Sequence, residues 1–254
     1  MSWNPATYNK FKSERFTPFY DLLALIKVKE GLQVIDLGCG TGELTRKLAD
    51  ALPQSTVLGI DSSAEMLKDS KAFENESVKF ECRLIEEQVQ SNQKWDLVFS
   101  NAAIQWADNH EALIPQIIST IKPGGQLAIQ MPDQHSNISN MLLNELAAEE
   151  PFATALQNWI RVSPVLSIDS YAQLFFENGS TSMTVYEKIY PLILQDADAL
   201  FDWVSGTALI PYTERLHGET KDHFISEYKN RLQHNFKSVP VFYPFKRLIL
   251  EATF

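Results

Sequence analysis

Three observations predict an α/β fold built on a mostly parallel sheet with helices on both faces. Short apolar runs alternate with segments of helical periodicity between residues 31 and 132. The first run, "LQVIDLG", leads directly into the glycine-rich turn "GCGTG", and the second, "TVLGIDSS", contains an acid, Asp61, at its end. Strands that alternate with helices are joined by right-handed crossovers, which lay the strands side by side and parallel.

Taken in order, residues 7–27 place apolar positions at helical spacing, with Pro18 as a first-turn or kink residue. After a turn at Gly31 come the first strand, the glycine loop and "ELTRKLADAL", which keeps helical periodicity up to the breaker Pro53. A second strand ends at Asp61, and "SAEMLKDSKAF" predicts a helix that Ser62 or Ser63 caps, with Glu65 near its first turn. "VKFECRL" and "WDLVFSN" predict two further buried strands, and "HEALIPQIISTI" a helix closed by the turn "KPGG". "GQLAIQMP" is a fifth apolar run, "TVYEKIYPLIL" a sixth, and "FKRLILEATF" closes the chain as a strand. Residues 134–180 and about 195–237 read as helical insertions that cap the strand ends. With no repeat and no linker, the expectation is one domain over 1–254. Its parts are an N-terminal helical lid over 1–30, a cofactor-binding half over 31–133, and the two cap insertions.

The 254 residues suffice for a large core, and 44% hydrophobic with 21% charged residues is ordinary globular composition. No stretch reaches the roughly 20 apolar residues of a membrane span, and the first residues carry no apolar signal core. A cytoplasmic protein without a membrane partner is expected, as a monomer or dimer. The net charge of −10 argues against nucleic acid as a partner, because phosphate binding is driven by lysine and arginine. Cys39 and Cys82 form no CxxC pair, and the five histidines no HExxH, so no metal is expected.

In an open α/β sheet a ligand sits outside the carboxyl ends of the strands, and the first turn after a strand is the usual place. Glycines there let the backbone approach a ligand closely. Asp61 lies about 20 residues beyond the loop, where a carboxylate can accept both hydroxyls of an adenosine ribose. A dinucleotide fingerprint would need glycine at 38, 40 and 43. Position 43 is Glu43, a poor neighbour for a pyrophosphate, which disfavours an NAD-dependent oxidoreductase. Asp36 would also repel phosphate, yet it can attract an ammonium group directly or through water. An amino acid, a ribose and an adenine without phosphate together describe S-adenosylmethionine. A plain strand-to-helix turn, with Asp61 as a helix cap, accounts for the loop alone but not for both acids in this frame.

"DLGCGTG", "GIDSS", "FSNAAIQW" and "IKPGG" resemble the ordered motifs of class I S-adenosylmethionine-dependent methyltransferases over most of residues 30–132. "WNPATYNKF…ER", "SNAAIQW", "QMPD" and "DWVSGTALIPY" resemble bacterial trans-aconitate methyltransferases over nearly the whole chain. The resemblance implies a Rossmann-like class I methyltransferase fold: a seven-stranded, mostly parallel sheet with helices on both faces and a helical cap. It also implies S-adenosyl-L-methionine as cofactor and S-adenosyl-L-homocysteine as product. The methionine moiety would lie near Asp36, Gly38, Cys39 and Gly40, with the ribose on Asp61 and the adenine flanked by Ser62 and Met66. Leu84 and Ile85 align with the place after the third strand where the family often has an acid; here backbone and apolar contact would serve instead. Asn101 and the backbone of Ala102 would meet the methionine end, and Gln105 and Trp106 the acceptor, although Trp106 has an equal claim to covering the core.

The implied reaction makes a methyl ester on a small carboxylic acid, trans-aconitate or a related acid. A carboxylate with a reference pKa of about 4.3 is ionised at neutral pH and needs no general base, so no catalytic acid or base is expected. Arg15 and Arg161 are candidate carboxylate holders, with Tyr8 and Tyr212 as hydroxyl donors. Ile210 and Thr17 stand where the resemblance implies basic residues, which widens the expectation to less charged acids. A malonyl-acyl-carrier-protein O-methyltransferase is the enzymatic alternative, and the net charge offers an acidic carrier no basic docking face. A catalytically silent cofactor-binding module is the alternative from another class.

Overall fold

The computed structural model describes residues 12–254, with side chains from residue 16 onward. Its seven strands are β1 (Gln33–Leu37), β2 (Thr56–Asp61), β3 (Val78–Cys82), β4 (Trp95–Asn101), β5 (Ile121–Pro132), β6 (Ser182–Leu194) and β7 (Val241–Thr253). They form one sheet in the order β3-β2-β1-β4-β5-β7-β6. The first five pair in parallel, and β7 runs antiparallel to β5. From β1 the chain first builds outward through β2 and β3, then returns to lay β4 on the other side of β1. Connections leave β1 and β4 in opposite directions, which makes their carboxyl ends the place where sheets of this kind take a ligand.

The chain divides into two compact units. The first holds Thr17–Pro132, Pro164–Lys188 and Arg247–Phe254; the second holds Asp133–Ser163 and Ile189–Lys246. In the first unit, neighbouring residues of the central strands serve opposite faces. Ile35 and Val98 pack with Leu113, Ile114, Ile117, Tyr171 and Phe175, from the helices His110–Ser119 and Ile168–Glu177. Val34, Leu97 and Phe99 pack with Phe19, Leu22 and Leu48, from the helices Lys12–Leu23 and Glu43–Asp50. Burial on both faces explains why these strands read as continuous apolar runs rather than alternating ones. The second unit has its own core, in which Leu142, Leu146, Trp203, Tyr212, Phe224 and Tyr228 come together from the helices Ile138–Ala147, Ala197–Ser205, Ile210–Thr213 and Gly218–Asn235.

Several elements differ from the sequence expectation. β3 is one of the two edge strands, and among its residues only Val78 is buried, so it is not the buried strand its apolar residues suggested. The helix expected after β2 is present over Met66–Phe73 but is of the 3-10 type; Ser63 serves its start, accepting the Met66 N–H at 3.2 Å. "KPGG" does not close the preceding helix, which ends at Ser119, but belongs to β5, whose pairing with β4 shifts register between Trp95 and Leu97. Within residues 134–180 the chain is helical only over Ile138–Ala147, Phe152–Ala155 and Ile168–Glu177. The N-terminal helix is described from Lys12, and the first part of the expected 7–27 segment lies outside the described residues.

Candidate active site

The glycine loop is held from both sides. Gly38 and Cys39 donate their N–H groups to the Ile60 carbonyl at 2.8 and 2.9 Å, tying the loop to the tip of β2. Gly38 has a φ of +79°, and a Cβ there would stand 2.0 Å from the Ala103 Cβ, so the loops after β1 and β4 touch through this one residue. Gly40, at φ +58°, donates its N–H to Asp61 Oδ2 at 2.9 Å. A Cβ on Gly40 would lie 3.3 Å from the Met66 methyl, which brings Met66 against the loop. Cys39 is buried, and burial together with the charges of Asp36 and Asp61 pushes its thiol pKa far up, so it stays a thiol.

Asp36 ends up buried because β1 is central and its side chain faces the loop. Thr45, two residues into the helix after the loop, donates its hydroxyl to Asp36 Oδ2 at 2.6 Å. The other oxygen, Oδ1, is buried with no hydrogen-bond partner among the described residues. Burial raises the Asp36 pKa to about 7; the Thr45 hydroxyl opposes the rise and the charge of Asp61 adds to it. A buried carboxylate oxygen without a partner is costly unless a positive or donor group meets it. Asp61 accepts from Gly40 N–H through Oδ2 and from Ser63 N–H through Oδ1, each at 2.9 Å. From Asp36 to Thr45 the chain has no lysine or arginine. These residues fit a ligand with an ammonium and a ribose, and they do not fit a phosphate.

A pH dependence follows for the ligand-free protein and for binding. Because the folded pKa of Asp36 lies above its ordinary value of 3.8, its contribution to stability is fully present below about 4 and is lost as pH rises through about 7. An ammonium group on the ligand favours the carboxylate, so binding releases a proton. Affinity for S-adenosylhomocysteine is expected to fall by up to about tenfold for each pH unit below 7 and to level off above it. Calorimetry at pH 6, 7 and 8 in buffers of different ionisation enthalpy reads both the slope and the proton count. The slope should vanish in Asp36→Asn.

The remaining predicted positions fall as follows. Ser62 is exposed and its carbonyl accepts from the Cys82 thiol at 3.7 Å. Leu84 is 47% exposed, and Ile85 opens the short helix Ile85–Val89. This segment is drawn to the site by the Arg83 N–H, which donates to the Asp61 carbonyl at 3.0 Å. At the tip of β4, Asn101 Oδ1 accepts from Gln130 Nε2 at 2.7 Å, and the Ala102 N–H donates to the Gln130 carbonyl at 2.7 Å. Gln105 is buried and donates to the Ala102 carbonyl at 2.8 Å, so it also ties the turn that carries Trp106. Trp106 is 46% exposed, which is not the environment of a core cover.

Arg161 and Tyr212 belong to the second unit. Tyr212 is buried there; its hydroxyl accepts the Arg161 N–H at 3.2 Å and donates to Asn144 Oδ1 at 2.6 Å. Burial raises the Tyr212 pKa. Arg215 stacks on Trp159 nearby, its guanidinium carbon 3.7 Å from the ring centroid. Tyr8 and the side chain of Arg15 lie outside the described residues. Thr45, Ala103, Gln130 and His110 are not among the residues expected from the sequence. His110 is buried, with Nε2 against the Ile104 carbonyl at 2.9 Å and Nδ1 against the Tyr171 hydroxyl, and burial lowers its pKa. Thr45 alone had a local signal, a small hydroxyl in the first turn of the helix after the loop. Among the described residues, no group of three His, Cys, Asp or Glu is placed to hold a metal ion, and no helix is long and apolar enough to cross a membrane.

This strand order, a glycine loop at the reversal point and acids at the tips of β1 and β2 define a class I methyltransferase domain, whose cofactor is S-adenosylmethionine. A family model described as a methyltransferase domain matches residues 28–179, and the chain belongs to that family. A trans-aconitate 2-methyltransferase of Deinococcus radiodurans is 42% identical over 259 residues, covering 100% of this chain and 98% of the relative. One from Variovorax paradoxus is 35% identical, covering 98% and 95%. The solved structure of the YcgJ protein from Bacillus subtilis shares the fold at a TM-score of 0.62 and 12% identity, covering 94% of this chain and 98% of that one.

Proposed function

We propose that this chain transfers a methyl group to a carboxylate oxygen of a small polycarboxylic acid, trans-aconitate or a close relative, giving a methyl ester. The observation that carries the site is the pair of carboxylates, Asp36 and Asp61, around a glycine loop without any basic side chain. The name shared by relatives that match the chain over nearly its full length supports the acid.

When bound, S-adenosylmethionine supplies a methyl activated by a positively charged sulfur. Asp36, with Gly38, Cys39 and Gly40, would hold the methionyl end, while Asp61 takes the ribose. Ser62, Met66, Leu84 and Ile85 would border the adenine, and Asn101 with Ala102 the carboxyl end of β4. The acceptor oxygen is already anionic at neutral pH, so no proton has to be removed as its bond to carbon forms. The chain's task is then alignment and exclusion of water. His110 is not cast as a base, because both of its nitrogens are engaged within the protein, by the Ile104 carbonyl and the Tyr171 hydroxyl.

Gln105 and Trp106 would border the acceptor, and Tyr8, Arg15 and Arg161 would hold its remaining carboxylates. Tyr212, whose hydroxyl is committed to Arg161 and Asn144, supports Arg161 rather than donating to the acid itself. We assign residues 1–254 to one methyltransferase domain with the lid and cap insertions given above. The protein is proposed to act in the cytoplasm as a monomer or dimer, and its charge disfavours nucleic acid.

Incubation with cofactor labelled on the methyl group and a panel of mono-, di- and tricarboxylic acids and malonyl carrier tests this reading. Base-labile label on a small polyacid is expected; label on nitrogen, or on the carrier alone, would overturn it. Arg161→Gln should raise the KM of a tricarboxylic acid by about 10- to 100-fold, the worth of one charge-assisted contact, and change that of a monocarboxylic acid far less.

A further inference from the structure

Three side chains at the carboxyl edge of the sheet form an ordered relay in the first unit. Asn101 on β4 and Gln130 on β5 stand directly opposite each other in the parallel register. Arg247 on β7 pairs with Pro132, two positions along from the Ile249–Gln130 pair, so it approaches Gln130 diagonally. Arg247 Nη1 donates to Gln130 Oε1 at 2.7 Å, and Gln130 Nε2 donates to Asn101 Oδ1 at 2.7 Å. Gln130 is 1% exposed and Arg247 6%, so bulk water does not compete for these groups.

The direction of this relay is set by chemistry. An amide can turn over and exchange its oxygen for its nitrogen with little change in shape, and only the hydrogen-bond network decides between the two. A guanidinium has donors and no acceptor. Arg247 therefore obliges Gln130 to turn its oxygen toward β7 and its NH2 toward β4. Asn101 must meet that NH2 with its oxygen, which leaves its own NH2 for other partners.

We propose that Arg247 acts through Gln130 to fix the amide of Asn101, making Asn101 a donor to a carboxylate oxygen at the tip of β4. This rests on the proposed function for Asn101's place beside the ligands, and it adds two positioning residues and a required polarity. The carboxylate is either that of the cofactor's methionyl end or that of the acceptor acid. Acceptor groups on the ligand are matched, and donor groups are rejected.

Gln130→Glu tests the polarity with almost no change in shape. A carboxylate accepts from Arg247 and can only accept from Asn101 as well, so Asn101 must turn over and show its oxygen to the ligand. The variant should melt within a few degrees of the parent, because Arg247 keeps a partner, yet lose at least about tenfold in ligand recognition. A weaker Kd for S-adenosylhomocysteine, by calorimetry, identifies the cofactor's carboxylate as the partner. An unchanged Kd with a raised KM for the acid at saturating cofactor identifies the acceptor's. Arg247→Lys, still donor-only, should stay within a few-fold of the parent, while Arg247→Met, which leaves the amide orientation unset rather than reversed, should lose more than the lysine variant and less than Gln130→Glu. Unchanged Kd and KM in folded Gln130→Glu, or equal behaviour of the lysine and methionine variants, would overturn the proposal. Should the parent methylate no acid, the calorimetric arm still reads the relay, which separates its failure from that of the proposed function.

Discussion

Asp61→Ala is expected to weaken S-adenosylhomocysteine binding by one to three orders of magnitude, about 1.5–4 kcal/mol for charge-assisted hydrogen bonds. Two losses combine in this variant. The ribose hydroxyls lose their proposed acceptor, and the N–H groups of Gly40 and Ser63 lose the carboxylate that holds both loops at 2.9 Å. Asp61→Asn keeps one acceptor oxygen and should fall between parent and alanine variant. Calorimetry with S-adenosylhomocysteine measures all three. An alanine variant within threefold of the parent would mean that Asp61 only caps the turn after β2.

Gly38→Ala carries the second large effect, and it acts through the fold. The residue would sit at φ +79°, where a side chain costs roughly 1–2 kcal/mol, with its Cβ 2.0 Å from that of Ala103. Real Cβ atoms do not approach so closely, so the loops after β1 and β4 must part. A loss of roughly 3–5 kcal/mol is expected, on the order of a 10 °C fall in the melting temperature. Cofactor binding should be lost with it, because Gly40 and Asn101 move when the loops part. Gly38→Ala combined with Ala103→Gly relieves the collision and leaves the backbone strain, so it should recover part of the stability. A single variant that melts and binds like the parent would show that the two loops do not touch.

How much of this was legible in the sequence depends on distance along the chain. The loop and its acids could be read because strand, glycine turn, helix and second strand fall within about 30 residues, and each constrains the next. Even Thr45, nine residues after Asp36, lay within reach of such reasoning. The relay from Arg247 to Asn101 was not, because its links span 117 and 29 residues and depend on the register of β5 with both neighbours. No local pattern shows that β7 inserts beside β5, nor that β3 ends at the sheet's edge with an exposed face. The hydroxyl of Tyr212 illustrates the same limit. As a tyrosine beside "TALIP" it read as a donor to the acid, and only the packing of the second unit commits it to residues 51 and 68 positions away.

The central claim is that the tips of β1 and β2 cradle an adenosyl amino acid and not a diphosphate. Calorimetric titration of the same preparation with S-adenosylhomocysteine and with NAD tests it most directly. Saturable one-to-one binding of S-adenosylhomocysteine that strengthens from pH 6 to 7 is expected, with no heat from NAD. Saturable binding of NAD, with S-adenosylhomocysteine inert, would contradict it.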